Sequence, residues 1–253
     1  MTRTFTPSFD PEKPTIRSDD VASFFEERAR RISRLGPLRA VLYQDHHPDL
    51  AERRDEAERQ ALGPLLALER TSRLLDIGCG TGRWVPSVAD RCAAYHGIDL
   101  SPGLIAFARS AHVHHPNCSF SVCSATDLSL SALGEEAGFD RVLCAGLFIY
   151  LNDDDARTAF GRIAEVSAPA CRLVLREPMA TDMRLTLSDH FSDELGQHYN
   201  AIYRTETELV ELAAAPLLQR GFRISGSGDL FSDPTLNNRT ETRQRWILME
   251  RGG

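Results

Sequence analysis

An acid and three glycines stand together in the run Leu74-Leu75-Asp76-Ile77-Gly78-Cys79-Gly80-Thr81-Gly82, and their spacing defines the chemistry open to this chain. Apolar residues leading into Asp76 and then into alternate glycines specify a strand that ends in a tight turn. With no Cβ at positions 78, 80 and 82, a nucleoside can lie directly against the main chain, facing the N-terminus of a helix that begins near Arg83. A dinucleotide fingerprint requires a third glycine three positions after the second, and Arg83 stands there, which disfavours NAD. Asp99 closes the next apolar run 23 positions after Asp76. That is close to the offset of about 20 at which a carboxylate one strand along meets ribose hydroxyls.

Other side chains suit proton transfer or acceptor binding. Glu177 ends an apolar strand, where a carboxylate can bind an amine, accept a hydroxyl proton or cap a turn. His190 and His198 lie in the long segment 178–205, and an imidazole suits proton removal near neutral pH. These three are the candidate bases. Tyr43, Tyr150, Tyr199 and Tyr203, with His46 in the Tyr43–His47 turn, are the candidate acceptor-lining residues, since aromatic faces also steady a nearby cation. By contrast His112, His114 and His115 fall on the helix-to-strand side and read as solvated loop residues. Asn152 reads as an N-cap and Asp153, Asp154 and Asp155 as complements to the positive end of the following helix, rather than as a metal cluster.

The elements that must position these groups follow from periodicity. Short leucine-rich or β-branched runs are expected as strands at 73–77, 93–98, 118–123, 139–145 and 171–176. They alternate with helices near 83–91, 102–111, 153–168 and 206–220, which specifies an α/β fold: a doubly wound, Rossmann-like sheet with helices on both faces. Two further strands are expected around 221–224 and 245–249. Ahead of the first glycine turn, residues 1–17 read as extended or disordered. A helix runs from Ser18 or Asp19 to about Ser33, and a second starts near Pro48 and is bent or divided at Gly63-Pro64. Residues 1–70 thus form a tail and helical cap and 71–253 the core. The segment 178–205, longer than the usual connection of about 4–6 residues, reads as a lid.

Bulk properties exclude several classes of function. With 29 basic against 36 acidic residues and a net charge of −7, a general phosphate-binding surface is disfavoured, and nucleic acid with it. No run of 18 apolar residues exists and the first residues lack the apolar centre of a signal peptide, so no membrane partner and a cytoplasmic location are expected. The six cysteines form no C-x-x-C pair and read as buried thiols.

Taken together, the motif at 74–84, the strand ending in Asp99, the Phe120–Leu128 segment and the Phe139–Gly146 strand resemble the class I S-adenosylmethionine-dependent methyltransferases. The resemblance is close over roughly residues 70 to 178 and holds only in outline on the flanks. It implies a seven-stranded sheet whose first five strands are parallel and whose terminal strand is antiparallel, with S-adenosylmethionine as cofactor. It further implies that Asp99 accepts from the ribose hydroxyls, that Asp127 meets the adenine amino group, and that Asp76, Gly78, Cys79, Gly80, Leu100, Thr126, Leu128 and Cys144 complete the cofactor site. No catalytic metal is implied, because Cys144–Gly146 and Arg176–Pro178 do not supply the acids of the metal-dependent members. Nor does Ala145-Gly146-Leu147-Phe148 match the turn of the base-modifying members. A small-molecule acceptor is left, with O-, N- and C-methylation all open and the oligomeric state unspecified. Alternatives are a non-catalytic cofactor-binding subunit and an enzyme that uses the cofactor without transferring methyl.

Overall fold

The computed structural model describes residues 2–237 and 239–252. Its main sheet has seven strands in the order β4-β3-β2-β5-β6-β10-β9. These are β2 (Arg73–Ile77), β3 (Ala94–Asp99), β4 (Cys118–Val122), β5 (Phe139–Ala145), β6 (Ser167–Ala180), β9 (Arg223–Asp229) and β10 (Thr242–Arg251). Strands β2 to β6 are parallel, and β10 runs against β6. β9 is antiparallel to β10, so it is the last strand of the chain alone that runs against the rest, the antiparallel terminal strand that was expected. Consecutive residues of β2 explain why both faces are covered. Leu74 packs with Leu62 and Leu66 on one side, whereas Leu75 and Ile77 pack with Phe160 and Ile163 on the other. A parallel strand buried on both faces reads as a continuous apolar run, and this one does.

The helices are α1 (Ser18–Arg30), α2 (Ile32–Leu35), α3 (Pro37–Leu42), α4 (Pro48–Leu66), α5 (Val85–Val88), α6 (Pro102–Ala111), α7 (Leu130–Leu133), α8 (Asp153–Val166) and α9 (Glu206–Ala214). Helix α4 is not divided at Gly63-Pro64. Burial of Leu62 and Leu66 holds its last turns on the sheet past Pro64, and Arg141 caps the end by donating to the carbonyls of Leu66 and Ala67. The helix expected at 206–220 stops at Ala214, with a separate turn at Leu218–Arg220, and that expected at 83–91 is only a short α-turn followed by a 3₁₀ turn.

The segment 178–205, expected as a lid, is regular in structure. Strands β7 (Arg184–Ser192) and β8 (Gln197–Tyr203) form a hairpin, and β1 (Thr2–Thr6) joins β7 to make a second, three-stranded sheet. Part of the tail expected to be extended or disordered is therefore a strand. Leu185, Leu187 and Ala201, on one face of this sheet, belong to the same buried cluster as Val21 and Phe24 of α1, and Ile202 on the other face is buried too. Two clasps tie this sheet to the core. The Asp153 carboxylate pairs with buried Arg184 at 2.9 Å and Arg204 at 2.7 Å. Asn152 occupies the N-cap position of α8, but its side chain makes no cap bond. Instead it accepts from the Ile16 N–H and donates to the Ile16 carbonyl, both at 3.0 Å, pinning the chain just before α1.

Candidate active site

The chain winds outward from β2 to β3 and β4, then returns to β5 on the other side of β2, so the strand order reverses between β2 and β5. A crevice opens at such a switch point, beyond the C-terminal strand ends. Two cavities occupy this region, of about 350 Å³ and 410 Å³.

The 350 Å³ cavity has the glycine turn at one side and side chains of α1, the 41–43 segment and the turn after β5 around the rest. Gly78, Gly80 and Gly82 all take positive φ, and the amides of Gly78 and Cys79 donate to the Ile98 carbonyl at 2.8 and 2.9 Å. This pins the turn to the neighbouring strand. At Gly80 a side chain is excluded twice: φ is +57° and a Cβ would stand 2.9 Å from Val41. Gly97 serves the same turn from β3, since a Cβ there would meet the Cys79 sulfur at 2.8 Å. The Asp99 carboxylate accepts from the Gly80 and Ser101 amides at 3.0 and 2.9 Å. Burial raises its pKa to about 6 against the lowering effect of these amides. Asp76 is likewise raised to about 6 by burial, opposed by the Tyr95 hydroxyl that donates to it at 2.7 Å. Ser18, Asp19 and Phe25 of α1 line the same cavity, and Glu26 holds the helix in place by accepting from Ser101 Oγ at 2.7 Å.

The 410 Å³ cavity is built from side chains of distant segments. Tyr43 follows α3, Arg54 and Glu58 belong to α4, Tyr199 and Tyr203 to β8, and Arg239 precedes β10. Tyr43, Tyr150, Ala145, Gly146 and Arg176 line both cavities and form their common wall. Tyr43 sits in the left-handed region at φ 58°, a costly conformation for a residue with a bulky side chain. The Arg28 guanidinium 5.5 Å from its ring centroid and the edge of Phe24 at 5.6 Å hold it there. Burial raises the hydroxyl pKa of both Tyr43 and Tyr150, so both keep their protons. Burial favours the neutral form of Glu58, but Arg176 and Arg83 hold its pKa below the ordinary value, and its ionised oxygens bind these two arginines.

Most of the expected cofactor residues converge. Asp76, Gly78, Cys79, Gly80, Asp99, Leu100 and Thr126 line the smaller cavity. Asp127 does not: its amide closes a turn onto the Ser124 carbonyl, and its side chain is exposed, leaving Ser124, Ala125 and Thr126 as the lining of that edge. Leu128 and Cys144 are fully buried in the core beneath the site, because Cys144 shares its strand face with Val142 while Ala145 and Gly146 reach the cavity.

Tyr43, Tyr150, Tyr199 and Tyr203 line the larger cavity as expected positions, whereas His46 is exposed outside it, with its main-chain N–H donated to Glu194. None of the three candidate bases faces either large cavity. Glu177 turns to the opposite face of β6, where one oxygen accepts from the Leu147 and Phe148 amides at 2.8 and 3.0 Å and the other is buried without a partner among the described residues. It caps the turn after β5, and burial raises its pKa to about 7. His198 is exposed and 2.9 Å from Asp189, and His190 lies behind Tyr199, packed edge-on to that ring. His112 is not a solvated loop residue either: it stacks on Phe120 and its Nε2 is 3.2 Å from the Thr81 carbonyl under the glycine turn.

The residues that sequence reasoning missed are Arg54, Glu58, Arg176 and Arg239. Arg54 and Glu58 stand four apart on α4 and so share a face, which is the one available signal; Arg239 carries none. Among the described residues no group of three or more His, Cys, Asp or Glu side chains is arranged to hold a metal ion, and the six cysteines are unpaired.

Residues 74–170 match the family model described as a methyltransferase domain. The O-methyltransferase rstn1 of Aspergillus nomiae is 29% identical over 133 residues, covering 51% of this chain and 56% of that protein. The O-methyltransferase cnsE of Penicillium expansum is 26% identical over 177 residues, covering 67% of this chain and 61% of that protein. The chain thus spans little more than half the length of these curated relatives. Among solved structures, phosphoethanolamine N-methyltransferase 1 of Haemonchus contortus, bound to phosphoethanolamine and S-adenosylhomocysteine, superposes with a TM-score of 0.70. It is 16% identical, and the match covers 93% of this chain and 49% of that one. The fold is therefore that of the class I methyltransferases. Residues 74–170 thus carry the likeness to a methyltransferase domain, for which the resemblance of the motif at 74–84 implies S-adenosylmethionine as cofactor.

The smaller cavity fits that cofactor. It offers a cradle of main chain that a Cβ at Gly80 would fill, a strand-end carboxylate at Asp99, and an indole N–H of Trp84 buried without a partner among the described residues.

Proposed function

We propose that this chain is a methyltransferase that moves the methyl group of S-adenosylmethionine to a small-molecule acceptor by in-line displacement. The observation that carries the reading is the pair of cavities sharing the wall of Tyr43, Gly146, Tyr150 and Arg176: one is shaped for a nucleoside, the other is free for a second molecule. Asp99 would hold the ribose hydroxyls, Asp76 the cationic amino-acid end, and the Ser124–Thr126 edge the adenine. When bound, the cofactor supplies an activated methyl group, so the protein's part is orientation and exclusion of water.

Proton transfer is a minor part of this reading. Glu177, His190 and His198 lie outside both cavities, and the Glu58 carboxylate is committed to Arg83 and Arg176. The phenols of Tyr43 and Tyr150 keep their protons and are hydrogen-bonding groups for the acceptor at the common wall. Orientation of two bound molecules is worth several kcal/mol of barrier by itself. The O-methyltransferase relatives support an oxygen nucleophile as the first class to assay, ahead of nitrogen and carbon.

The test is to titrate the protein with S-adenosylhomocysteine by calorimetry, then to incubate it with S-adenosylmethionine and a panel of phenols, hydroxy acids and amines. Formation of S-adenosylhomocysteine with a methylated panel member is the expected result. Binding without turnover across the panel favours a non-catalytic cofactor-binding protein, and substrate consumed without that product marks a non-methylating enzyme. A folded protein that binds no S-adenosylhomocysteine ends the reading.

A further inference from the structure

The larger cavity contains more positive charge than its own carboxylates neutralise. Three arginines line it, Arg54, Arg176 and Arg239, against two acids, Glu58 and Glu194. Arg176 is paired through its terminal nitrogens with Glu58 at 2.8 Å and the Gln244 side-chain oxygen at 3.3 Å, its Nε being buried without a partner among the described residues. Arg54 is not. It is only 7% exposed, its Nε donates to the Leu236 carbonyl at 2.7 Å, and its two terminal nitrogens have no partner among the described residues. Glu194, which attracts it, is outside ion-pair distance and is engaged elsewhere. One of its oxygens accepts from the His46 amide at 3.0 Å and the other is 3.7 Å from His47.

Arg239 has no carboxylate either. Its guanidinium donates to the hydroxyls of Tyr203 at 2.9 Å and of Tyr199, and lies 5.4 and 5.9 Å from the two ring centroids. Because each phenol accepts from Arg239, each retains its own proton as a further donor.

A buried cation without a counter-ion is unfavourable unless a ligand completes it. Burial, opposed by the Glu194 charge and reinforced by that of Arg176, pulls the Arg54 pKa down to about 10. A guanidinium is also the side chain best matched to a planar or tetrahedral oxyanion, through paired N–H donors. The remaining lining includes Ile149, Leu195 and Phe231, which suit an apolar body.

We infer that the acceptor is an anion: a small molecule whose carboxylate or phosphate group is recognised by Arg54 and Arg239 and whose apolar body packs among Tyr199, Tyr203 and Phe231. This rests on the methyltransferase reading for the word acceptor, but the anion site stands on its own geometry. The probes are 4-hydroxybenzoate, its neutral methyl ester and 4-hydroxyphenyl phosphate, titrated by calorimetry into the protein with and without saturating S-adenosylhomocysteine. At least one anion is expected to bind about tenfold or more tightly than the ester, with an affinity that falls as salt is raised. The comparison of the two anions separates carboxylate from phosphate recognition. Arg54→Met and Arg239→Met should each weaken the preferred anion by about 10–100-fold, with a much smaller change for the ester and none for S-adenosylhomocysteine. Arg54→Gln, which keeps the polarity, guards against misfolding of the Met variant. Equal or absent binding of acid, phosphate and ester, or arginine variants that bind the anion as well as the parent, overturns the inference. Selective anion binding by a protein that does not bind S-adenosylhomocysteine upholds the site and removes only the methyltransferase reading.

Discussion

The two cavities on either side of Tyr43 are built by opposite means. The cofactor cavity comes chiefly from three consecutive strand ends, where main-chain geometry at Gly78–Gly82, Asp99 and Ser124–Thr126 shapes the space. The acceptor cavity comes from side chains spread between Val41 and Gln244, brought together only when α4, the hairpin β7–β8 and the approach to β10 are packed. One is a product of local turns on a rigid sheet, the other of long-range packing. The first suits a cofactor common to a whole fold, and the second is free to change with the acceptor.

If that contrast is right, loosening the second sheet should damage one cavity and spare the other. Asp153→Ala leaves Arg184 and Arg204 buried beside a lost carboxylate, and removing one partner of a buried pair costs about 3–5 kcal/mol. Urea denaturation should show a loss of that size, with proteolytic cleavage appearing first in 178–205 and affinity for S-adenosylhomocysteine largely kept. Loss of both binding functions together would show that the cavities are one cooperative unit.

A smaller effect is expected at Glu177, which supports the turn leading into the common wall. Its carboxyl is raised from 4.5 to about 7 by burial, so the folded state prefers it protonated. Relative stability is then greatest below pH 4.5 and is lost as pH rises through about 7. Glu177→Gln keeps the acceptor for the Leu147 and Phe148 amides and removes the charge. Thermal melts should show a gain of about 2–3 kcal/mol at pH 8 that shrinks towards pH 4.5. A gain independent of pH would mean that the carboxyl is not the group that titrates.

The smallest effect probes an exception to the contrast, since α1 is remote in sequence yet walls the cofactor cavity. Asn152→Ala removes the paired bonds to Ile16 and should cost about 1–2 kcal/mol. Hydrogen exchange should quicken at the Ile16 amide and in the first turn of α1, with a modest weakening of S-adenosylhomocysteine binding.

The same contrast explains what could be read from the residues alone. Strand β2, the glycine turn and Asp99 depend on neighbours in sequence, and β2, β5 and α6 were expected within a residue of where they lie. Asp127 is exposed outside the cavity, at the close of the turn that its amide makes on the Ser124 carbonyl, and such a turn has no clear mark in the residues alone. Alternation at Leu185 and Leu187, and at Tyr199, Ala201 and Tyr203, was present as a strand signal. Its partner β1 lies about 180 residues away, and pairing over that span has no local mark. Arg54 shares a face of α4 with Glu58, but it and Arg239 acquire a common meaning only once α4 and the approach to β10 face each other, and no spacing rule links the two.

The most direct test of the central claim is a calorimetric titration of S-adenosylhomocysteine into the parent protein and into Gly80→Val and Asp99→Ala. Valine at position 80 meets Val41 and a strained φ, and alanine at 99 removes the carboxylate that the Gly80 and Ser101 amides hold in the cavity. The account predicts binding by the parent, a loss of about 100-fold or more in Gly80→Val and of about 10–100-fold in Asp99→Ala, both variants remaining folded. Undiminished affinity in both would contradict it, because the nucleoside would then lie somewhere other than against this turn.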